Sequence, residues 1–111
     1  MIPERLKRGD LVTVVTSGDY GKPRPALIIQ SNAFDGLVSV TVLPLSSHLI
    51  EAPLYRVTIQ PDQGNGLRQV SQVMVDKAVT VLRVKVGQRV GQVESATLEA
   101  VTKAFRGFFE L

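Results

Sequence analysis

The chain reads as a mainly β protein: a small, strongly bent sheet or barrel of about six to seven short strands, with one C-terminal helix packed on it. Three observations lead there. Short β-branched segments recur along residues 11–93, parted by clusters of Gly, Pro, Asn and Asp. From Ser95 onward the apolar residues change from a period of two to helical spacing. A length of 111 residues, 44% hydrophobic and 21% charged, suits one folded domain over 1–111 rather than disorder.

The elements follow in order. Residues 4–8 read as a charged, solvated lead-in, and Gly9-Asp10 as a turn. Leu11–Thr16 is a β-branched run and the first strand; Ser17–Lys22 is polar and glycine-bearing, hence a loop. Pro25 heads the second strand, to about Ser31, at a place where a missing N–H is tolerated. In Leu37–Leu45, Val38, Val40 and Val42 alternate against Ser39 and Thr41, and Pro44 marks a strand end or sheet edge. Leu54–Gln60 alternates again, with Tyr55, Val57 and Ile59 on one side, and residues 61–66 (PDQGNG) form a strong turn. Ser71–Val75, Val79–Leu82 and Gln88–Val93 complete the strands. Ser95 reads as a helix N-cap, and Leu98, Val101, Phe105, Phe108 and Phe109 share one helical face, as core or as a dimer interface.

Composition narrows the function classes. With no cysteine there is no disulfide, thiol catalysis or thiolate metal site, which fits a cytoplasmic protein. A single histidine leaves a metal site or bound cofactor unexpected. The N-terminus lacks an apolar stretch behind its charges, and no run is long enough to span a bilayer, so neither secretion nor a membrane partner is expected. The net charge of +3 permits RNA or an acidic protein as partner without demanding either.

The most informative stretch is residues 18–32, and within it Arg24. Pro25 holds Arg24 extended and Pro23 restricts the chain entering it, so the guanidinium stands on a stiff mount suited to gripping an anion. Alternatively, Arg24 serves a structural ion pair with Asp10 or Asp76.

RGDLVTVV, GKPRPALIIQSNAF, VLPLSS and the VD-x-x-x-TV run at 75–81 resemble the MazF/PemK/Kid family of toxin–antitoxin ribonucleases over nearly the whole chain, closing helix included. The resemblance implies an SH3-like barrel, a homodimer, and metal-independent, sequence-selective cleavage of single-stranded RNA to 2′,3′-cyclic phosphate and 5′-hydroxyl ends. It also implies neutralisation by a cognate antitoxin through an acidic C-terminal tail. Carried onto this chain, the family's active-site arginine falls on Arg24, its catalytic Thr/Ser on Ser46 with Ser47 beside it, its aspartate on Asp76 and its threonine on Thr80. The chain departs from the pattern at Val79, where arginine is usual, at Leu82, where aspartate often stands, and at Met74, an arginine in some members.

RNA cleavage of this kind needs a base for the 2′-hydroxyl, stabilisation of the charged phosphorane, and an acid for the 5′ oxygen. Arg24 suits the second task and Ser46 the positioning of phosphate or 2′-hydroxyl. His48, two residues beyond Ser46, is a candidate acid or base if the backbone stays extended there, and otherwise a surface histidine. Asp76 is a candidate base or a structural cap. For RNA contacts the candidates are Tyr20, by stacking, with Lys22, Ser47, Lys77 and Thr80. Arg56, Arg68 and Arg83 also suit backbone tracking, although each, taken singly, reads first as a solvated cation. The competing function is a CcdB-like poison of DNA gyrase on the same fold. That branch relies on a tryptophan-bearing C-terminal tip, whereas this chain ends Phe-Phe-Glu-Leu and holds no tryptophan. A family member that only binds its partner protein is the third reading.

Overall fold

The computed structural model describes residues 5–15 and 22–111. Strands β1 (Asp10–Val14), β2 (Arg24–Ile28), β3 (Ser39–Ser46), β4 (Arg56–Ile59), β5 (Ser71–Met74), β6 (Val79–Leu82) and β7 (Val86–Gln92) precede one helix, α1 (Ser95–Phe109). All pairings are antiparallel, in the order β4-β5-β3-β2-β1-β7. β3 organises the sheet: one edge pairs with β2, and the other is shared end to end by β6 (Ser39 to Val42) and β5 (Leu45 and Ser46). The β4–β5 loop bridges the two ends of the order, since the Gln92 N–H of β7 donates to the Gly64 carbonyl at 2.9 Å. The sheet is thereby bent into the small barrel that the sequence implied.

Why these strands form continuous apolar runs follows from burial on both faces. Leu11, Leu27, Leu43 and Leu45 point into one core with Ile59, Val73, Val75 and the helix residue Val101. Their immediate neighbours Val12, Val14, Ala26, Ile28, Val40 and Val42 fill a second core on the opposite face. Leu11, Leu27 and Leu43 are completely buried, and each such side chain contributes about 1.5–3 kcal/mol relative to exposure.

The structure corrects several expectations in detail. Val38 lies outside β3 and is exposed, because the ladder with β6 begins only at Ser39. Ser95 is the first helical residue; the cap position is Glu94, whose side chain makes no capping bond. Phe108 and Phe109 are about half exposed, while Val101 alone on the helix is fully buried. Arg8 is more than a solvated lead-in: its Nε donates to the Ile29 carbonyl at 3.1 Å and its Nη2 to Thr102 Oγ1 at 2.7 Å, docking α1 on the end of β2. Next to it, Gly9 takes a positive φ of 96°. Asp10 is buried, accepting the Lys7 N–H at 2.8 Å and pairing with Arg89 Nε at 3.2 Å.

Candidate functional site

An open groove of about 760 Å³ runs where the start of β2, the end of β3 and the β4–β5 loop meet. Its polar lining includes Arg24, Ser46, Ser47, His48, Arg68 and Gln69, against Val14, Pro44, Leu67, Met74 and Val90. Among its described lining residues there are two guanidinium groups and no carboxylate, so the groove carries a positive field.

Three local structures present these side chains. The first is β2, whose leading residue Arg24 pairs with Val14 of β1 and is exposed. The β2–β3 ladder sets Ala26 opposite Pro44, and that register carried two residues on brings Arg24 beside Ser46. The second is the turn ending β3. Ser46 Oγ accepts the His48 N–H at 3.0 Å, which folds residues 46–48 back on themselves, so the extended backbone that would set both side chains on one face is not formed; the exposed His48 reaches the groove lining from the turn instead. Beyond it the buried Gln72 of β5 clamps Ile50 from both sides: its Oε1 accepts the Ile50 N–H at 3.1 Å and its Nε2 donates to the Ile50 carbonyl at 2.9 Å.

The third is the β4–β5 loop. Asn65 is buried, and its Oδ1 accepts the N–H groups of Asp62 and Leu67 while its Nδ2 donates to the Gln60 carbonyl. Gly66 follows at φ 68°, so close to β7 that an added Cβ would lie 2.4 Å from the Val90 carbonyl oxygen. At the far end, Ser71 Oγ donates to the Gln69 carbonyl at 3.1 Å. Arg68 and Gln69 therefore stand on a segment held at both ends.

The candidates named from sequence separate into two groups. Arg24, Ser46, Ser47 and His48 line the one groove. Asp76, Lys77 and Thr80 do not: Asp76 lies 3.9 Å from Arg56 Nε and 3.7 Å from Lys77 Nζ, and the Thr80 hydroxyl is 2.7 Å from that of Thr41. Lys22 is exposed ahead of β2, off the described lining, and Tyr20 lies outside the described residues. The suggested ion partners of Arg24 are engaged elsewhere, Asp10 with Arg89 and Asp76 with Arg56 and Lys77. Arg68, named from sequence only as one of several scattered cations, also lines the groove, and Gln69 beside it was not anticipated; its only signal was the turn-rich PDQGNG segment just before.

Guanidinium and hydroxyl groups facing one groove, with no carboxylate among its described lining residues, can hold an anion of phosphodiester shape. The fold is a small antiparallel barrel with a terminal helix, and this groove opens at one side of it. The chain belongs to the PemK-like, MazF-like toxin family of type II toxin–antitoxin systems, whose model matches residues 7–109. It is 41% identical over 104 residues to the "Probable endoribonuclease MazF" of Mycolicibacterium smegmatis, covering 93% of this chain and 95% of that protein. Among solved structures it resembles the Mycobacterium tuberculosis toxin MazF-mt6 (TM-score 0.79, 24% identity, 92% of this chain and 97% of that one). A mycobacterial endoribonuclease in complex with its cognate antitoxin is similarly close (TM-score 0.81, 22% identity, 96% of each chain). At these identities the structural likeness is one of fold.

Proposed function

We propose that this chain is the toxin of a type II toxin–antitoxin pair, a single-domain endoribonuclease that cuts single-stranded RNA and is neutralised by a cognate antitoxin. The observation that carries this reading is the convergence of Arg24, Ser46, Ser47 and His48 on one groove free of carboxylates among its described lining residues. The family match and the 41% identical relative favour it over a gyrase poison.

In this mechanism the substrate's own 2′-oxygen attacks phosphorus and the P–O5′ bond breaks, leaving a 2′,3′-cyclic phosphate and a 5′-hydroxyl. Arg24 stabilises the charge that builds on the non-bridging oxygens, where a preorganised donor is worth most. Ser46 and Ser47 hydrogen-bond the phosphate and fix the angle of attack. His48 lines the same groove, and its imidazole is the group proposed here to move the proton. Asp76 takes no part in this step: it lies off the groove lining, 3.9 Å from Arg56 Nε.

No helix among the described residues is long and apolar enough to cross a membrane, and in this reading the toxin works in the cytoplasm on mRNA. An acidic antitoxin tail competes for the positive groove. The exposed apolar surface at Leu54, Phe108 and Phe109 suits the homodimer that the family resemblance implies.

The test is to incubate the purified chain with single-stranded RNA and determine both new termini. Cyclic phosphate and 5′-hydroxyl ends, abolished by a 2′-deoxy substitution at the cut position, support the reading. Intact RNA together with trapped gyrase–DNA complexes would replace it with the gyrase poison.

A further inference from the structure

We propose that Arg68 is a second RNA-gripping cation, holding a phosphate next to the one at which cleavage occurs; this rests on the endoribonuclease reading above. The sequence offers many scattered cations, and the structure sorts them. Arg56 pairs with Asp76, Lys77 pairs with the same carboxylate, and Arg83 Nε donates to the Leu37 carbonyl. Arg68 is exposed, has no carboxylate partner among the described residues, and shares the groove with Arg24.

Its mount is what makes it more than a surface charge. Asn65, buried and satisfied on both amide atoms, fixes the chain just before it. Gly66 presses against the Val90 carbonyl with no room for a side chain, and Ser71 ties down the Gln69 carbonyl just after it. A loop held this firmly loses little backbone entropy when its arginine takes hold of an anion. The groove is then lined by two cations from different elements: Arg24 on β2, in register with the end of β3, and Arg68 on the β4–β5 loop. A single strand lying between them meets two guanidiniums on two phosphates. The division of labour follows from the neighbours. Arg24 stands with the hydroxyls and histidine that the chemistry uses, whereas Gln69, beside Arg68, supplies only an amide.

The experiment compares wild type, Arg68→Ala, Arg68→Lys and a distant cation control, Lys103→Ala, on an RNA oligonucleotide that the wild type cuts. Binding is measured on its 2′-deoxy counterpart at several salt concentrations. Arg68→Ala should raise KM about tenfold with kcat within about twofold of wild type. It should also lower the slope of log K against log salt by about 0.7, the value of one single-strand phosphate contact. Arg68→Lys should recover the slope and Lys103→Ala should leave it alone. An unchanged KM and slope in Arg68→Ala, a fall confined to kcat, or failure of lysine to restore the slope would each overturn the assignment while wild-type cleavage stands. A wild type that neither binds nor cuts the RNA would instead overturn the endoribonuclease reading, and this assignment with it.

Discussion

The hydroxyl of Ser46 accepts a hydrogen bond from the His48 N–H at 3.0 Å and lies 3.4 Å from the His48 carbonyl oxygen. One side chain thus shapes the turn that ends β3 and remains available to the groove, since its long second bond is readily exchanged for a phosphate oxygen. Ser46→Ala loses both contributions and is expected to slow cleavage about 10²-fold. Ser46→Thr, which keeps the oxygen, should retain most of the rate. Single-turnover rates of the two variants decide between a working hydroxyl and a merely tolerated one.

Gln72 supports the same turn from below. Its amide bonds both backbone groups of Ile50 and approaches Thr58 Oγ1 at 3.3 Å, all within the protein. Gln72→Met keeps the volume and strands those groups, so stability should fall by about 2–3 kcal/mol. Cleavage by the folded fraction should fall about tenfold through misplacement of residues 46–48. A urea midpoint that moves at constant m, read beside the rate, separates the two effects.

Glycine substitutions distinguish the loop that carries Arg68 from an ordinary turn. Gly66→Ala must hold an alanine at φ 68° with its Cβ against the Val90 carbonyl, and should cost at least about 2 kcal/mol. Gly36→Ala has nothing within 4 Å of the added atom and should change stability by no more than about 0.5 kcal/mol. Thermal or urea unfolding of the pair checks the contrast.

The Arg8-Gly9-Asp10 motif is structural by the same reasoning. Asp10→Ala removes one ion-pair partner of Arg89 and the acceptor of the Lys7 N–H. A loss of about 2 kcal/mol is expected, below that for a fully buried pair because Arg89 keeps access to water. Its kcat, measured on folded protein, should match wild type.

These residues also show what could be read in advance. Apolar runs such as Leu11–Val15 and Ala26–Ile29 declare strands because both faces of the sheet are buried, and Val79–Leu82 was placed to the residue. Val38 misled, since period two persists beyond the point where pairing stops. Ser95 misled because a serine before an apolar helix is as much at home one position inside it. Arg24 stood out in the sequence through its flanking prolines and the family motif around it. Arg68 stood out only as one of several scattered cations, because its place in the groove depends on the buried Asn65 and on contact with β7, neither of which leaves a periodic trace.

In the proposed mechanism Arg24 and Ser46 act on the same phosphate. Single-turnover cleavage rates of wild type, Arg24→Ala, Ser46→Ala and the double variant test it most directly. Each single change is expected to cost about 10²-fold or more, and the double variant should fall little below the worse single one, as for groups that work as a unit. Losses that multiply in the double variant, or an Arg24→Ala protein that cuts at the wild-type rate, would contradict the account.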